Sequence, residues 1–131
     1  MDEIDIKILQ ALKIDSRTSF VTISKRLGMT EGAVRQRVGK LRKSGIIRRF
    51  TIEAAVDVSA IILIGTSNRF PTSKVAEAIR KLGVDGIYEI SGNYDIVCFA
   101  EGSTMQEVNS IVESIRGVEG VIDTTTMMVL K

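Results

Sequence analysis

Residues 58–131 say nearly the same thing twice, and that repetition limits the fold more than any other feature of the sequence. Val75, Ala78, Ile79 and Leu82 follow the i, i+3, i+4, i+7 spacing of an amphipathic helix, and Val108, Ile111, Val112 and Ile115 follow it again. An apolar strand precedes each helix: Ile61-Ile62-Leu63-Ile64 the first, Ile96-Val97-Cys98-Phe99 the second. A near-identical phrase follows each, Gly83-Val84-Asp85-Gly86-Ile87 and Gly117-Val118-Glu119-Gly120-Val121. Pro71-Thr72 opens one helix and Ser103-Thr104 the other. The order is βαββαβ. Right-handed crossovers then predict a four-stranded antiparallel sheet with both helices on one face, the ferredoxin-like arrangement. The other face carries much apolar content and no helix, which predicts that it packs on a second copy as a homodimer.

Charge divides the chain at another place. Residues 1–50 carry twelve basic and five acidic side chains, a net of +7, whereas residues 51–131 carry six and eleven, a net of −5. The whole-chain value of +2 conceals the contrast. A concentrated positive field is the footprint of a phosphate-binding surface, and the acidic half should avoid phosphate. A basic module of about fifty residues has a thin core and leans on a neighbour or a partner subunit.

Several chemistries are excluded or disfavoured. There is no histidine, and Cys98 is the one cysteine. Intramolecular disulfides and cysteine-based metal sites are ruled out, and the commonest general base and zinc ligand is missing. The expectation is no catalytic residue, no metal and no cofactor. No apolar run approaches the ~20 residues that span a bilayer. The first periodic segment is acidic and begins almost at Met1 with no cleavable signal before it, so a cytoplasmic protein without a membrane partner is expected.

The basic half reads as three short helices. Ile4, Ile8, Ala11 and Leu12 share one helical face after Asp2, a suitable N-cap. Ser19 caps a second helix with Phe20, Ile23 and Leu27 at helical spacing, and Gly28 ends it. Thr30 caps a third helix running to about Lys43, with Gly45 as the stop. Two helices joined by Gly28-Met29-Thr30 form a helix-turn-helix, whose second helix enters the major groove of DNA. At about 100° per residue, Val34, Val38 and Leu41 point inward. Gly32, Gln36, Gly39 and Lys43 point outward, flanked by Arg35, Lys40 and Arg42. Two outward glycines cost about 1 kcal/mol each against alanine, which is easier to understand if DNA comes close. Arg35, Gln36 and Lys40 suit base edges, and Lys43, Arg48 and Arg49 suit phosphates. The rival reading, a solvated basic face on a stable bundle, accounts for the charge but not for the turn and the glycines. Arg37 lies beside the core stripe and is expected to pair with an acid of the first helix such as Asp5.

In the acidic half, Gly92-Asn93 fits a tight two-residue turn between the middle strands, with Tyr94 and Asp95 beside it. Alternation places Thr124 and Thr126 on one sheet face and Thr125 on the other.

These residues resemble the Lrp/AsnC family, the feast/famine transcription regulators of bacteria and archaea. The N-terminal likeness runs through Asp5, Ile8-Leu9, Leu12 and Asp15-Ser16-Arg17, then Leu27-Gly28-Met29-Thr30, Val34, Arg37-Val38, Leu41 and Gly45-Ile46-Ile47. The C-terminal likeness is Gly92-Asn93-Tyr94-Asp95, Gly117-Val118, Thr124 and Val129-Leu130. The set covers essentially the whole chain in order. It implies an α+β protein: a three-helix helix-turn-helix domain (1–47), a hinge or linker strand (48–58), and a βαββαβ ferredoxin-like domain (59–131) that binds an effector and oligomerises. By the same resemblance, dimers assemble further, often to octamers, and a small amino acid binds between dimers. Carried over, the resemblance puts Gly92, Asn93, Tyr94 and Asp95 in the effector pocket with Thr124 and Thr126 of a neighbouring subunit. The DNA face would be Thr30, Gly32, Arg35, Gln36, Gly39, Lys40, Lys43, Arg48 and Arg49. Departures from the family are Ser24 where alanine is usual, Thr22 where glutamate is frequent, and a short connection from Phe50 to Ser59.

The expected function is sequence-specific binding of double-stranded DNA, modulated by an amino acid, without enzymatic activity. Two alternatives use the same residues. One is a nonspecific architectural protein that compacts DNA; the other is a small-molecule enzyme on the ferredoxin-like module with Tyr94 and Asp95 as its polar pair.

Overall fold

A computed structural model describes residues 1–131. The chain forms two compact units, Met1–Ala54 and Ala55–Lys131.

The first unit contains α1 (Glu3–Ile14), α2 (Phe20–Leu27) and α3 (Glu31–Lys43). Each starts where a side chain satisfies a backbone amide that the helix leaves free. At α1, Asp2 accepts from the Asp5 amide at 2.9 Å while Asp5 accepts from the Asp2 amide at 3.1 Å, a reciprocal capping box. Ser19 Oγ accepts from the Thr22 amide at 3.0 Å, and Thr30 Oγ1 from the Ala33 amide at 3.1 Å. The core is small: Ile8, Leu12, Ile23, Val34 and Val38, edged by Phe20, Leu27, Met29 and Ile47. Ser24 is buried on α2, and its hydroxyl donates to the Val21 carbonyl at 2.7 Å, so the departure from alanine leaves no polar group unpaired.

The expected hinge strand over 48–58 is not a strand. Residues 48–57 have no regular structure, and β1 begins only at Val58. A strand needs a partner to complete its ladder, and no strand of the sheet pairs with this segment. Residues 48–54 group with the helices, beyond the expected boundary at 47. The Ser16 hydroxyl donates to the Thr51 carbonyl at 3.1 Å, and the Arg42 guanidinium lies 5.6 Å from the Phe50 ring centroid.

The second unit is β1 (Val58–Thr66), α4 (Thr72–Arg80), β2 (Gly86–Glu89), β3 (Ile96–Gly102), α5 (Met105–Arg116) and β4 (Val121–Met128). All pairings are antiparallel in the order β2-β3-β1-β4, the arrangement the repeat demands. Ala60, Ile62 and Ile64 stand opposite Ala100, Cys98 and Ile96, and this face packs on Val75, Ala76, Ile79, Val108, Val112 and Ile115. Ile61, Leu63, Val97 and Phe99 turn to the other face, where no helix covers them. Tyr88 and Phe99 meet edge to face there at 6.3 Å.

The two copies of the repeat differ in detail. Leu82, expected on the inner face of α4, lies beyond the helix and is 38% exposed; Ala76 fills the inner face instead. α4 is three residues shorter than α5 and stops at Lys81, and the chain turns at Gly83 with φ +84°. After the longer α5, Gly117 is an ordinary helical cap and the positive φ passes to Gly120 at +98°. A Cβ on Gly120 would lie 2.8 Å from Val75 Cγ2 and 3.3 Å from Phe70, so this glycine answers both a backbone and a packing need. The connection between β2 and β3 also differs from expectation. Instead of a two-residue turn, residues 90–95 form a loop closed by the Ile90 amide donating to the Asp95 carbonyl at 2.9 Å, with Gly92 at φ +119°. Asp95 spends its side chain on β1 rather than on the turn, which draws the closing pair outward.

Candidate functional site

α3 buries Val34, Val38 and Leu41 and leaves Gly32, Arg35, Gln36, Gly39, Lys40, Arg42 and Lys43 exposed. Gly32, Gln36, Gly39 and Lys43 form one outward stripe, with Gly32 and Gly39 about 10.5 Å apart along the axis. A Cβ on either glycine would meet nothing within 4 Å. The fold of this unit therefore supplies no reason for them. Lys40, Lys43, Arg48 and Arg49 are exposed and make no ion pair, so their charges face solvent uncommitted. Thr30 is exposed while its oxygen caps the helix. Arg35 differs from the rest, because its guanidinium is paired with the Glu31 carboxylate one turn earlier. That partner was legible as an i, i+4 spacing but was not drawn from the sequence.

Arg37 is structural, as its angle implies. It bridges Asp2 at 2.6 Å and Asp5 at 3.2 Å, tying the start of α1 to the middle of α3. The Arg37 hydrogen bond, aided by the Asp5 amide, lowers the Asp2 carboxyl to about 2.

In the second unit the loop 90–95 is tied down at two points. The Tyr94 hydroxyl lies 2.7 Å from Thr125 Oγ1, and the Asp95 carboxylate accepts from the Thr66 amide at 2.8 Å. The Asp95 amide in turn donates to the Ile64 carbonyl at 2.9 Å. Asp85 repeats this clasp at the end of β3: its amide donates to the Phe99 carbonyl and its carboxylate accepts from the Glu101 amide, both at 2.8 Å. Gly92 and Asn93 are exposed and Tyr94 and Asp95 half-buried. Thr124 and Thr126 stand opposite Ile64 and Ile62, on the helix side of the sheet, and Thr124 Oγ1 accepts from Arg116 Nε at 3.2 Å. Within one chain they do not meet the loop; Thr125, on the other face, does. Sequence reading passed over Thr125 because a loop side chain carries no periodicity to say which face it crosses.

Cys98 offers no reactive thiol. It is fully buried on β3, and burial raises its pKa to about 11. No helix is long and apolar enough to cross a membrane.

A three-helix unit with a capped basic helix, joined to a ferredoxin-like unit, defines a helix-turn-helix protein with a second, α+β module. The profile of the AsnC-type helix-turn-helix domain matches residues 1–42, and that of the Lrp/AsnC ligand binding domain matches residues 59–131. The HTH-type transcriptional regulator LysM of Sulfurisphaera tokodaii is 37% identical, over 100% of this chain and 96% of its own. The HTH-type transcriptional regulator FL11 of Pyrococcus furiosus is 33% identical, over 100% and 90%. Among solved structures, a feast or famine regulatory protein from M. tuberculosis complexed with L-methionine superposes with a TM-score of 0.82, at 20% identity, over 99% of this chain and 92% of that one. The chain belongs to the Lrp/AsnC family of transcriptional regulators.

Proposed function

We propose that α3 reads a specific DNA sequence in the major groove and that the second unit assembles the protein and senses a small amino acid. The observation that carries the DNA reading is the pair of outward glycines, Gly32 and Gly39, open to solvent on the basic face of a helix that gains nothing from them. Arg35, Gln36 and Lys40 contact base edges; Lys43, Arg48 and Arg49 hold phosphates; Thr30 sets the start of the helix at the groove. The uncovered sheet face with Ile61, Leu63, Val97 and Phe99 packs against a second copy, and dimers associate further, up to an octamer. The operator is then pseudo-palindromic, with half-sites about one helical turn apart or a multiple of it.

The effector is an amino acid held between dimers by Gly92, Asn93, Tyr94 and Asp95 of one subunit and Thr124 and Thr126 of a neighbour. A carboxylate suits an ammonium group, and hydroxyls and free amides suit a carboxylate. The methionine complex of the M. tuberculosis structure favours this ligand class. The effector acts through unequal affinity for two assembly states. The protein works in the cytoplasm and needs no metal or cofactor.

Selection of bound sequences from random DNA, with and without each amino acid, tests the reading. A recovered palindrome that the Arg35→Ala, Gln36→Ala, Lys40→Ala triple variant no longer binds supports it. Unchanged operator affinity in that variant, with its oligomer intact, refutes the assignment of α3.

A further inference from the structure

Between Asp15 and Glu53 the chain contains a single acidic residue, Glu31, and it stands at the first position of α3. A carboxylate beside phosphates lowers affinity for every DNA, so its place on the most basic helix needs a reason. The first turn of a helix favours an acid, but here the carboxylate caps no backbone amide. In α1 and α5 the first-turn acids Asp5 and Glu107 accept backbone amides, those of Asp2 and Ser103. At α3 the cap is Thr30, and the Glu31 carboxylate turns forward to Arg35. Both side chains remain accessible, Arg35 66% and Glu31 42% exposed. Among the basic residues on the outward side of α3, Arg35 is thus the one whose guanidinium is held by a carboxylate, whereas Arg42 lies over the Phe50 ring.

We infer that Glu31 is a specificity-determining residue of the DNA reader, acting with Arg35 as one unit. This rests on the assignment of α3 as the recognition helix. Glu31 fixes the Arg35 fork so that its remaining N–H groups meet guanine O6 and N7, and a carboxylate lone pair is left for the N4 amino group of a neighbouring cytosine. On a wrong sequence the carboxylate faces no donor and repels phosphate, which penalises the wrong site rather than strengthening the right one. Glu31 is a positioning residue for Arg35 and a direct filter for the base next to it.

The test measures affinity of the full-length protein for its selected operator, for operators changed at one base pair at a time, and for scrambled DNA, at one fixed salt concentration. The variants are Glu31→Gln, Glu31→Asp and Arg35→Ala. Glu31→Gln should bind scrambled DNA more tightly while losing about tenfold or more of its discrimination at one or two adjacent base pairs per half-site, including the pair that Arg35→Ala also blurs. Glu31→Asp retains the charge without the reach to Arg35, and should lose discrimination without the gain on scrambled DNA. Equal tightening on all sequences, or no change on any, overturns the role of Glu31, as does a selection that recovers no preferred sequence. If Arg35→Ala and Lys40→Ala also leave operator affinity unchanged, the recognition-helix assignment itself has failed.

Discussion

Replacing Gly39 by alanine should move stability and DNA affinity in opposite directions. Gly39 sits in the interior of α3, four residues from its end, with open space where a Cβ would go. The substitution adds no clash and removes backbone entropy from the unfolded chain, so it should stabilise the helical unit by about 0.8–1 kcal/mol. For a unit of this size that corresponds to a rise on the order of 5 °C in its melting temperature. In the complex, the same methyl group stands between Gln36 and Lys43 on the stripe facing the groove, where crowding of a packed surface costs about 1–3 kcal/mol. Operator affinity should therefore fall about tenfold or more while the fold grows stronger. Urea denaturation followed by circular dichroism gives the first quantity, and fluorescence anisotropy with a labelled operator gives the second. A variant that is more stable and binds as well as the parent refutes the reasoning, since the glycine would then have no close-approach role.

Other perturbations separate structure from function. Gly120→Ala should destabilise the second unit by about 2 kcal/mol or more, because the new Cβ is forced against Val75 at a positive φ; Gly83→Ala, with φ +84° but open space, should cost about 1 kcal/mol in the same urea assay. Asp2 ionises at about 2 when folded, below its ordinary 3.8, so its contribution to stability is present above about pH 4 and lost as pH falls toward 2. Arg37→Ala should flatten the stability profile in that window, and an unchanged acid limb would refute the bridge. Tyr94→Phe and Thr125→Val should each cost about 0.5–1.5 kcal/mol, and the double variant little more than either alone; fully additive losses would show that the two hydroxyls do not depend on each other.

The parts legible in the sequence were those set by local chemistry. Asp2, Ser19 and Thr30 announce helix starts because a side-chain oxygen must meet a free amide within three residues. The βαββαβ order followed from two periodicities and the handedness of crossovers, and the observed strand order agrees. What escaped depended on distant partners. Leu82 fits the helical spacing, yet α4 ends before it, a boundary decided by where the chain must turn into β2. The turn at Gly92-Asn93 widened because Asp95 reaches to the Thr66 amide, 29 positions away. Thr125 rather than its neighbours meets Tyr94 because the loop crosses to the uncovered face, which alternation along β4 cannot reveal. On α3 the outward face was readable by angle, but the direction of the Arg35 guanidinium was not.

The paired aspartate clasps give this fold a built-in reporter. At Thr66 and Glu101 the amide proton is shielded by a carboxylate from an adjacent strand start, Asp95 in one case and Asp85 in the other. Exchange of the Thr66 amide with solvent deuterium therefore registers whether the Asp95 carboxylate is seated on β1 or drawn away, while Glu101 registers the same chemistry at a clasp outside the 90–95 loop. A ligand that claims Asp95 should quicken the first amide and leave the second unchanged, so one spectrum of the whole protein carries both the signal and its control.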